Sequence, residues 1–363
     1  MDRHDLNQFE PDYAVSPGEV LALELELRGM TQHELAKRTG LTPKHIVAIA
    51  KAHSAITPAT AIKLERALGM PVQYWLNLES HYQEVLARLS EEQKLDRDLG
   101  WLKRIPVAHM AKLEWIERHK DAKAQLIEVL RFFGIASVDQ WADVWPTLRV
   151  AYRQHDHHEV FPEAVSAWLR RGEIEAARIS CDVYDRNKFR RALDEIRGLT
   201  TTGPEVFVAQ MQKLSAMAGV AVVFVPALPK TGVSGATRWL NPNKALIQLS
   251  LRYKTDDHLW FTFFHEAGHI LLHGKKELFL EGTNGLDEAK EREANAFAEQ
   301  ELIPKKAFSE FLDRRIFRKS AITKISQELG VAPGIVVGQL QHKDLLSRSF
   351  CNDLKQKFTW AHE

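Results

Sequence analysis

The sequence predicts a mainly α-helical chain that carries a small β-sheet, an α+β fold, on three observations. Apolar residues recur at helical spacing over most of its length, with cap residues before the repeats and glycines after them. Two short runs, Val220 to Val225 and Ala245 to Leu251, are rich in apolar residues and of strand length. The stretch between them, through Pro229 and Gly235, is rich in turn formers.

With 363 residues, 45% hydrophobic and 27% charged, the chain is large enough for two or three cores and too apolar for disorder. Its 49 Lys and Arg nearly cancel 48 Asp and Glu, so the net charge of +1 points to no class of partner. Met1 to Glu10 lacks a basic region followed by an apolar run, and no segment is long enough to span a bilayer. Cys181 and Cys351 are the only cysteines and lie far apart, which fits a reducing compartment. A cytoplasmic protein without disulfides or membrane contact is expected.

Five helices are expected in residues 1–90. Ser16 caps the first, with Pro17 in its first turn. Thr31 caps the second with Glu34 as its capping-box partner, and Gly40 ends it; Thr42 caps the third, whose first residue is Pro43. That pair is a helix-turn-helix. Two more helices run from about Pro58 to Leu68, stopped by Gly69, and from Pro71 into the eighties. Helix-turn-helix geometry would lay Thr42 to His53 in a major groove. Gln32 and Thr42, near the two helix starts, would face phosphate; Lys44 and His45 would reach base edges, and Lys51 completes the candidate contacts. Residues 1–90 hold slightly more Asp and Glu than Lys and Arg, so attraction to DNA relies on a local basic patch or on dimerisation.

Gly18 to Tyr82, with Ile56-Thr-Pro-Ala-Thr-Ala-Ile-Lys-Leu-Glu-Arg-Ala-Leu-Gly69 and Trp75-Leu-Asn-Leu-Glu79, resembles the DNA-binding fold of HigA-type antitoxins within the XRE group. The resemblance implies an operator, palindromic and read by a homodimer, and a toxin as protein partner. Val47 and Ala48 stand where such recognition helices usually show polar or basic residues, and Ala52 replaces a common glycine, which predicts weak base readout.

Residues 91–200 read as a helical connecting region, with Leu113, Ile116, Ala124, Ile127, Val129, Leu130 and Phe133 at helical spacing and a break at Gly134. No chemistry is legible there. The run His155-Asp-His-His158, flanked by Gln154 and Glu159 and heading for Pro162, reads as a solvated turn. Arg186, Lys188, Arg190, Arg191 and Arg197 are interspersed with Asp182, Asp185, Asp194 and Glu195, the pattern of an ion-paired surface. Thr200 to Pro204 supplies a joint before the last domain, residues 201–363.

That domain opens with a helix near Pro204 to Ala218, followed by the two strands. Next comes a helix with cap candidates Asp256 and Asp257, closed by Gly274 and apolar on most sides. Within it stands His265-Glu266-Ala267-Gly268-His269. Histidines four apart stack on one helix face and can grip a single zinc ion, with Glu266 placed beside the water that the ion activates. Unpaired polar groups in such an interior would cost about 1–3 kcal/mol each, and a metal supplies the missing partner. His273 cannot be a third ligand, because it stands eight residues or ~12 Å along the helix from His265. It is expected to satisfy local backbone or a carboxylate near the helix end. The next helix, roughly Leu286 to Leu302, offers several glutamates, and its apolar stripe of Ala294, Phe297, Ala298 and Leu302 selects Glu291, with Glu293 as second choice.

Phe264-His-Glu-Ala-Gly-His-Ile-Leu-Leu-His273, Glu291-Arg-Glu-Ala-Asn-Ala-Phe-Ala298 and Leu302-Ile-Pro304 resemble the ImmA/IrrE family of zinc metallopeptidases, the similarity extending over roughly Glu163 to Leu346. The family pattern again places the glutamate at Glu291. The resemblance implies a zincin-like domain holding one zinc on His265, His269 and Glu291, with Glu266 as the catalytic base. It also makes the helix-turn-helix-like pair within Lys319 to Gln341 part of the fold rather than a DNA reader. The expected function joins both ends: a DNA-binding regulator of HigA type whose peptidase domain cleaves a partner or repressor protein. The alternative is a non-catalytic antitoxin or repressor whose zinc-containing domain docks a toxin or senses a ligand.

Overall fold

The computed structural model describes residues 14–145, 162–275, 278–280 and 288–360. Met1 to Glu10 and the His155–His158 run lie outside the described residues. Contacts divide the chain into two compact units, Met1–Leu99 and Gly100–Glu363.

The first unit is helical: α1 (Pro17–Leu27), α2 (Gln32–Thr39), α3 (Pro43–Ala50), α4 (Pro58–Leu68) and α5 (Val72–Asp98). Ser16, Thr31, Thr42 and Thr57 each accept a backbone N–H at a helix start, which fixes four boundaries. A full capping box forms at Ser16 with Glu19. At Thr31 only half of one forms, because the Glu34 side chain pairs with Arg38 one turn on. Gly40, in the left-handed region at φ +68°, turns the chain from α2 into α3. Leu21, Leu35, Ile46, Ile49, Leu64 and Trp75 are fully buried and tie the helices together. No glycine or proline interrupts Val72 to Leu99, and α5 accordingly runs past the eighties to Asp98.

The second unit contains α6 (Val107–Lys112), α7 (Ala122–Phe133), α8 (Val138–Val144), α9 (Pro162–Ala177), α10 (Arg186–Gly198) and α11 (Pro204–Ala216). The sheet and its neighbours follow: β1 (Val220–Phe224), β2 (Gly235–Asn241), β3 (Lys244–Leu249), α12 (Asp256–Leu272), β4 (Phe279–Leu280) and α13 (Glu288–Leu302). Helices α14 (Lys305–Asp313), α15 (Lys319–Leu329) and α16 (Pro333–His342) close the unit. The strand order is β1-β3-β2-β4; β1 runs parallel to β3, and β2 runs antiparallel to both β3 and β4.

Alternation along β3 separates two faces. Ala245, Ile247 and Leu249 join the core built with Trp260, Phe263, Phe264 and Ala267 of α12. Gln248 turns the other way and donates to the Trp168 carbonyl of α9, while Trp168 Nε1 donates to Val225. The sheet is thus covered by α9 on one face and by α12 on the other. The expected turn-rich stretch contains a strand, β2, and this strand stands between β3 and β4. Among the described residues no helix is long and apolar enough to cross a membrane.

Candidate metal centre

Helix α12 carries the His265 and His269 rings one turn apart, and both are buried to 1% exposure. Its N-cap is Thr255, so Asp256 and Asp257 lie inside the first turn instead of capping it. On α13, Glu291 and Asn295 share the face of the buried Ala294 and Ala298. Gly268 lets the two helices approach: a β-carbon there would stand 3.3 Å from the Ala294 Cα and 3.1 Å from the Phe297 ring. The small residue inside the histidine motif therefore sets the distance between α12 and α13.

The cluster is tight. His265 Nε2 lies 3.0 Å from His269 Nε2, and the Glu291 carboxylate oxygens stand 3.2 Å and 3.5 Å from those nitrogens. One ligand atom from each of the three residues falls within 4.8 Å of the others, a group that could hold a metal ion. Two imidazole nitrogens and one carboxylate oxygen from two helices form the donor set of an open, three-ligand site, so these residues fit such an ion. Burial, with His265 and His273 beside it, pulls the His269 imidazole down to about 2, so its ring is neutral.

Glu266 follows His265 on α12 and is fully buried. Gly235 of β2 makes room for it: a β-carbon at Gly235 would approach Oε1 to 2.6 Å and the Thr262 methyl to 2.6 Å. Thr237, also on β2, donates its hydroxyl to the Glu266 carbonyl at 3.1 Å. Strand β2 thus fixes the position of this glutamate from behind.

The structure brings His265, His269 and Glu291 together, with Glu266 next to His265 on α12 and its carboxylate against Gly235 of β2. Glu293, the second-choice ligand, goes elsewhere: its Oε2 lies 3.2 Å from His273 Nε2. Three neighbours were not read from the sequence, namely Asn295, whose Oδ1 lies 2.9 Å from His265 Nδ1, and Gly235 and Thr237 behind Glu266. Asn295 leaves a sequence signal, a polar residue one turn from Glu291 beside an apolar stripe.

The helix-turn-helix residues lie in the other unit. Thr42 caps α3, its hydroxyl accepting the His45 N–H at 3.2 Å. Lys44 and Lys51 are exposed, and Gln32 and His45 are half-buried. Thr42, Lys44 and His45 share the start of α3, Gln32 opens α2, and Lys51 ends α3.

Fold and site define a class: a helix-turn-helix unit joined to an α+β domain with a metallopeptidase-like His/His/Glu cluster. Residues 21–75 match the helix-turn-helix family model, and residues 218–340 match that of the IrrE N-terminal-like domain, peptidase family M78. The chain thus carries an XRE-type helix-turn-helix domain at its N-terminal end and an IrrE-like domain at its C-terminal end. Virulence-associated protein I of Dichelobacter nodosus is 35% identical over 82 residues, which are 22% of this chain and 73% of that protein. Among solved structures, an addiction module antidote protein of the HigA family from Coxiella burnetii is 31% identical, covering 23% of this chain and 94% of its own (TM-score 0.22). The Pseudomonas aeruginosa antitoxin HigA, solved with the higBA promoter, is 24% identical, covering 24% of this chain and 95% of its own (TM-score 0.22).

Proposed function

We propose that this chain is a DNA-binding regulator of HigA-antitoxin type whose C-terminal domain is a zinc-dependent endopeptidase acting on a partner or repressor protein. The observation that carries the peptidase reading is the convergence of His265 Nε2, His269 Nε2 and the Glu291 carboxylate, 3.0 to 3.5 Å apart, beside buried Glu266. These three residues hold one zinc ion. When bound, the ion supplies a Lewis acid that polarises a peptide carbonyl and makes water more acidic. Glu266 takes the proton of the attacking water on its carboxylate. As the C–N bond breaks it returns that proton to the leaving nitrogen. Gly235 and Thr237 hold Glu266 at the reaction point and keep its backbone fixed.

The regulator reading rests on the helix-turn-helix family match and on the resemblance of Gly18 to Tyr82. On this reading residues 1–90 bind the operator and residues 201–363 form the peptidase. Gln32 and Thr42 contact phosphate, Lys44 and His45 read bases, and Lys51 adds a basic contact, with a homodimer spanning a palindrome in the cytoplasm.

The test of the peptidase is paired. Bound zinc is measured in the wild type and in His265→Ala, and the Glu266→Gln form is used to trap proteins from the native cell. One zinc per chain, lost in His265→Ala, with a trapped protein that the wild type cleaves, is the expected result. A wild type that binds no zinc overturns the peptidase. Full zinc with a bound partner that is never cleaved replaces it by the docking alternative. For DNA, Lys44→Ala with His45→Ala should abolish salt-sensitive preference for the operator over random duplex; unchanged preference refutes the base contacts.

A further inference from the structure

We infer that His273 and Glu293 form a relay that positions His269 as a metal ligand, so that a divalent zinc-like cation held by three side chains depends on two more behind them. This inference rests on the metal reading of the His265, His269 and Glu291 cluster. His269 Nδ1 lies 2.9 Å from His273 Nδ1, and His273 Nε2 lies 3.2 Å from Glu293 Oε2. The His273 side chain is 3% exposed, so its ring is held inside the protein, while the Glu293 side chain is 62% exposed and remains solvated.

The chemistry of the outermost group fixes the direction of both bonds. An ionised carboxylate only accepts, so His273 Nε2 carries the proton and donates to Glu293. With its proton on Nε2, the His273 ring presents a bare Nδ1, which accepts from His269 Nδ1–H. His269, protonated on Nδ1, turns the lone pair of its Nε2 toward His265 and Glu291. A surface carboxylate thus sets the tautomer of a buried ligand two rings away. Phe279 of β4 stacks on the His269 ring with centroids 4.0 Å apart, which fixes the ring plane as the relay fixes its protons.

His273 and Glu293 are positioning residues, since neither belongs to the ligand cluster. Such outer partners orient ligands, and their loss typically weakens metal binding about 10- to 100-fold. The test uses the full-length chain and zinc itself. Zinc affinity is measured by competition with a chromophoric chelator for the wild type, His273→Ala, His273→Asn and Glu293→Ala, with thermal unfolding of each metal-free form as a folding control. Histidine 15N shifts of the metal-free protein report the His269 tautomer. We expect His273→Ala to bind zinc about 10- to 100-fold more weakly. His273→Asn, whose amide oxygen still accepts from His269 Nδ1–H, should recover most of that loss. Glu293→Ala, changed at an exposed position, should weaken zinc by about 3-fold and mix the His269 tautomers. Wild-type affinity in His273→Ala, or an unchanged His269 tautomer in both alanine variants, overturns the relay, as does a His273→Asn form no better than His273→Ala. A wild type that binds no zinc overturns the metal reading beneath it, and the two failures are thereby distinguished.

Discussion

Gly235 of β2 faces the Glu266 carboxylate so closely that a single added carbon would come within 2.6 Å of Oε1. The glutamate is held by the absence of a side chain opposite it. Gly235→Ala should therefore push Glu266 aside and lower peptide cleavage by about 100-fold, the order expected for a catalytic group misplaced by an ångström. The three atoms nearest to that carbon belong to Glu266 and Thr262 and none to His265, His269 or Glu291, so zinc content should stay at the wild-type level. Cleavage of the protein trapped by Glu266→Gln, measured beside metal analysis, checks both halves.

Asp256 lies 1% exposed at the start of α12, and burial raises its carboxyl to about 6. Because its folded value lies above the unfolded one near 3.9, the charged form is the costly one. Stability falls as pH rises from about 4 to about 6 and stays low above it, by at most about 3 kcal/mol. Asp256→Asn keeps the oxygen that accepts the Asp257 N–H at 2.9 Å and removes the charge. Denaturant unfolding at pH 4 and pH 8 should show the variant gaining over the wild type mainly at pH 8.

Ala52 adopts φ +54° just after α3, a left-handed conformation strained for any residue with a β-carbon. Ala52→Gly should raise the stability of the first unit by roughly 0.5–1 kcal/mol, the relief of strain being partly offset by a more flexible unfolded chain. Chemical denaturation monitored through the buried Trp75 reads the change.

Arg197 on α10 donates to the carbonyls of Glu301 and Leu302 at 2.8 and 3.2 Å and to that of Leu329 at 2.9 Å. It thereby satisfies the C-terminal ends of α13 and α15 together. Arg197→Met keeps much of the packing and strands those carbonyls, so a loss of about 2–4 kcal/mol is expected in urea unfolding.

The sequence made the caps of α1, α2 and α3 and the metal cluster legible for the same reason, since both depend on residues a few positions apart, whereas Asp256 and Asp257 misled because Thr255 caps α12. Thr42 announces α3 because its hydroxyl meets an N–H three residues on. His265 and His269 announce a ligand pair because helical geometry alone brings them together. Glu291 required one further step, the face of the helix that carries it. Strand β2 was hidden because Gly235, Arg238 and Asn241 break any apolar run; its ladder partners on β3 and β4 make it a strand. Two-residue β4 exists only through that pairing. A carboxylate was one of the partners expected for His273, but not which one, since Glu293 is an exposed residue of α13 that meets the end of α12 across an unknown helix spacing.

The close approach at Gly268 has a mechanical sequel. Helices α12 and α13 meet at a seam where Gly268 faces Ala294 and Phe297, and His265, His269 and Glu291 straddle it. A cation seated there would act as a rivet across the approach that Gly268 allows, and a chelator that withdraws it would loosen α12 from α13. Metal supply would then govern how firmly this half of the molecule is assembled.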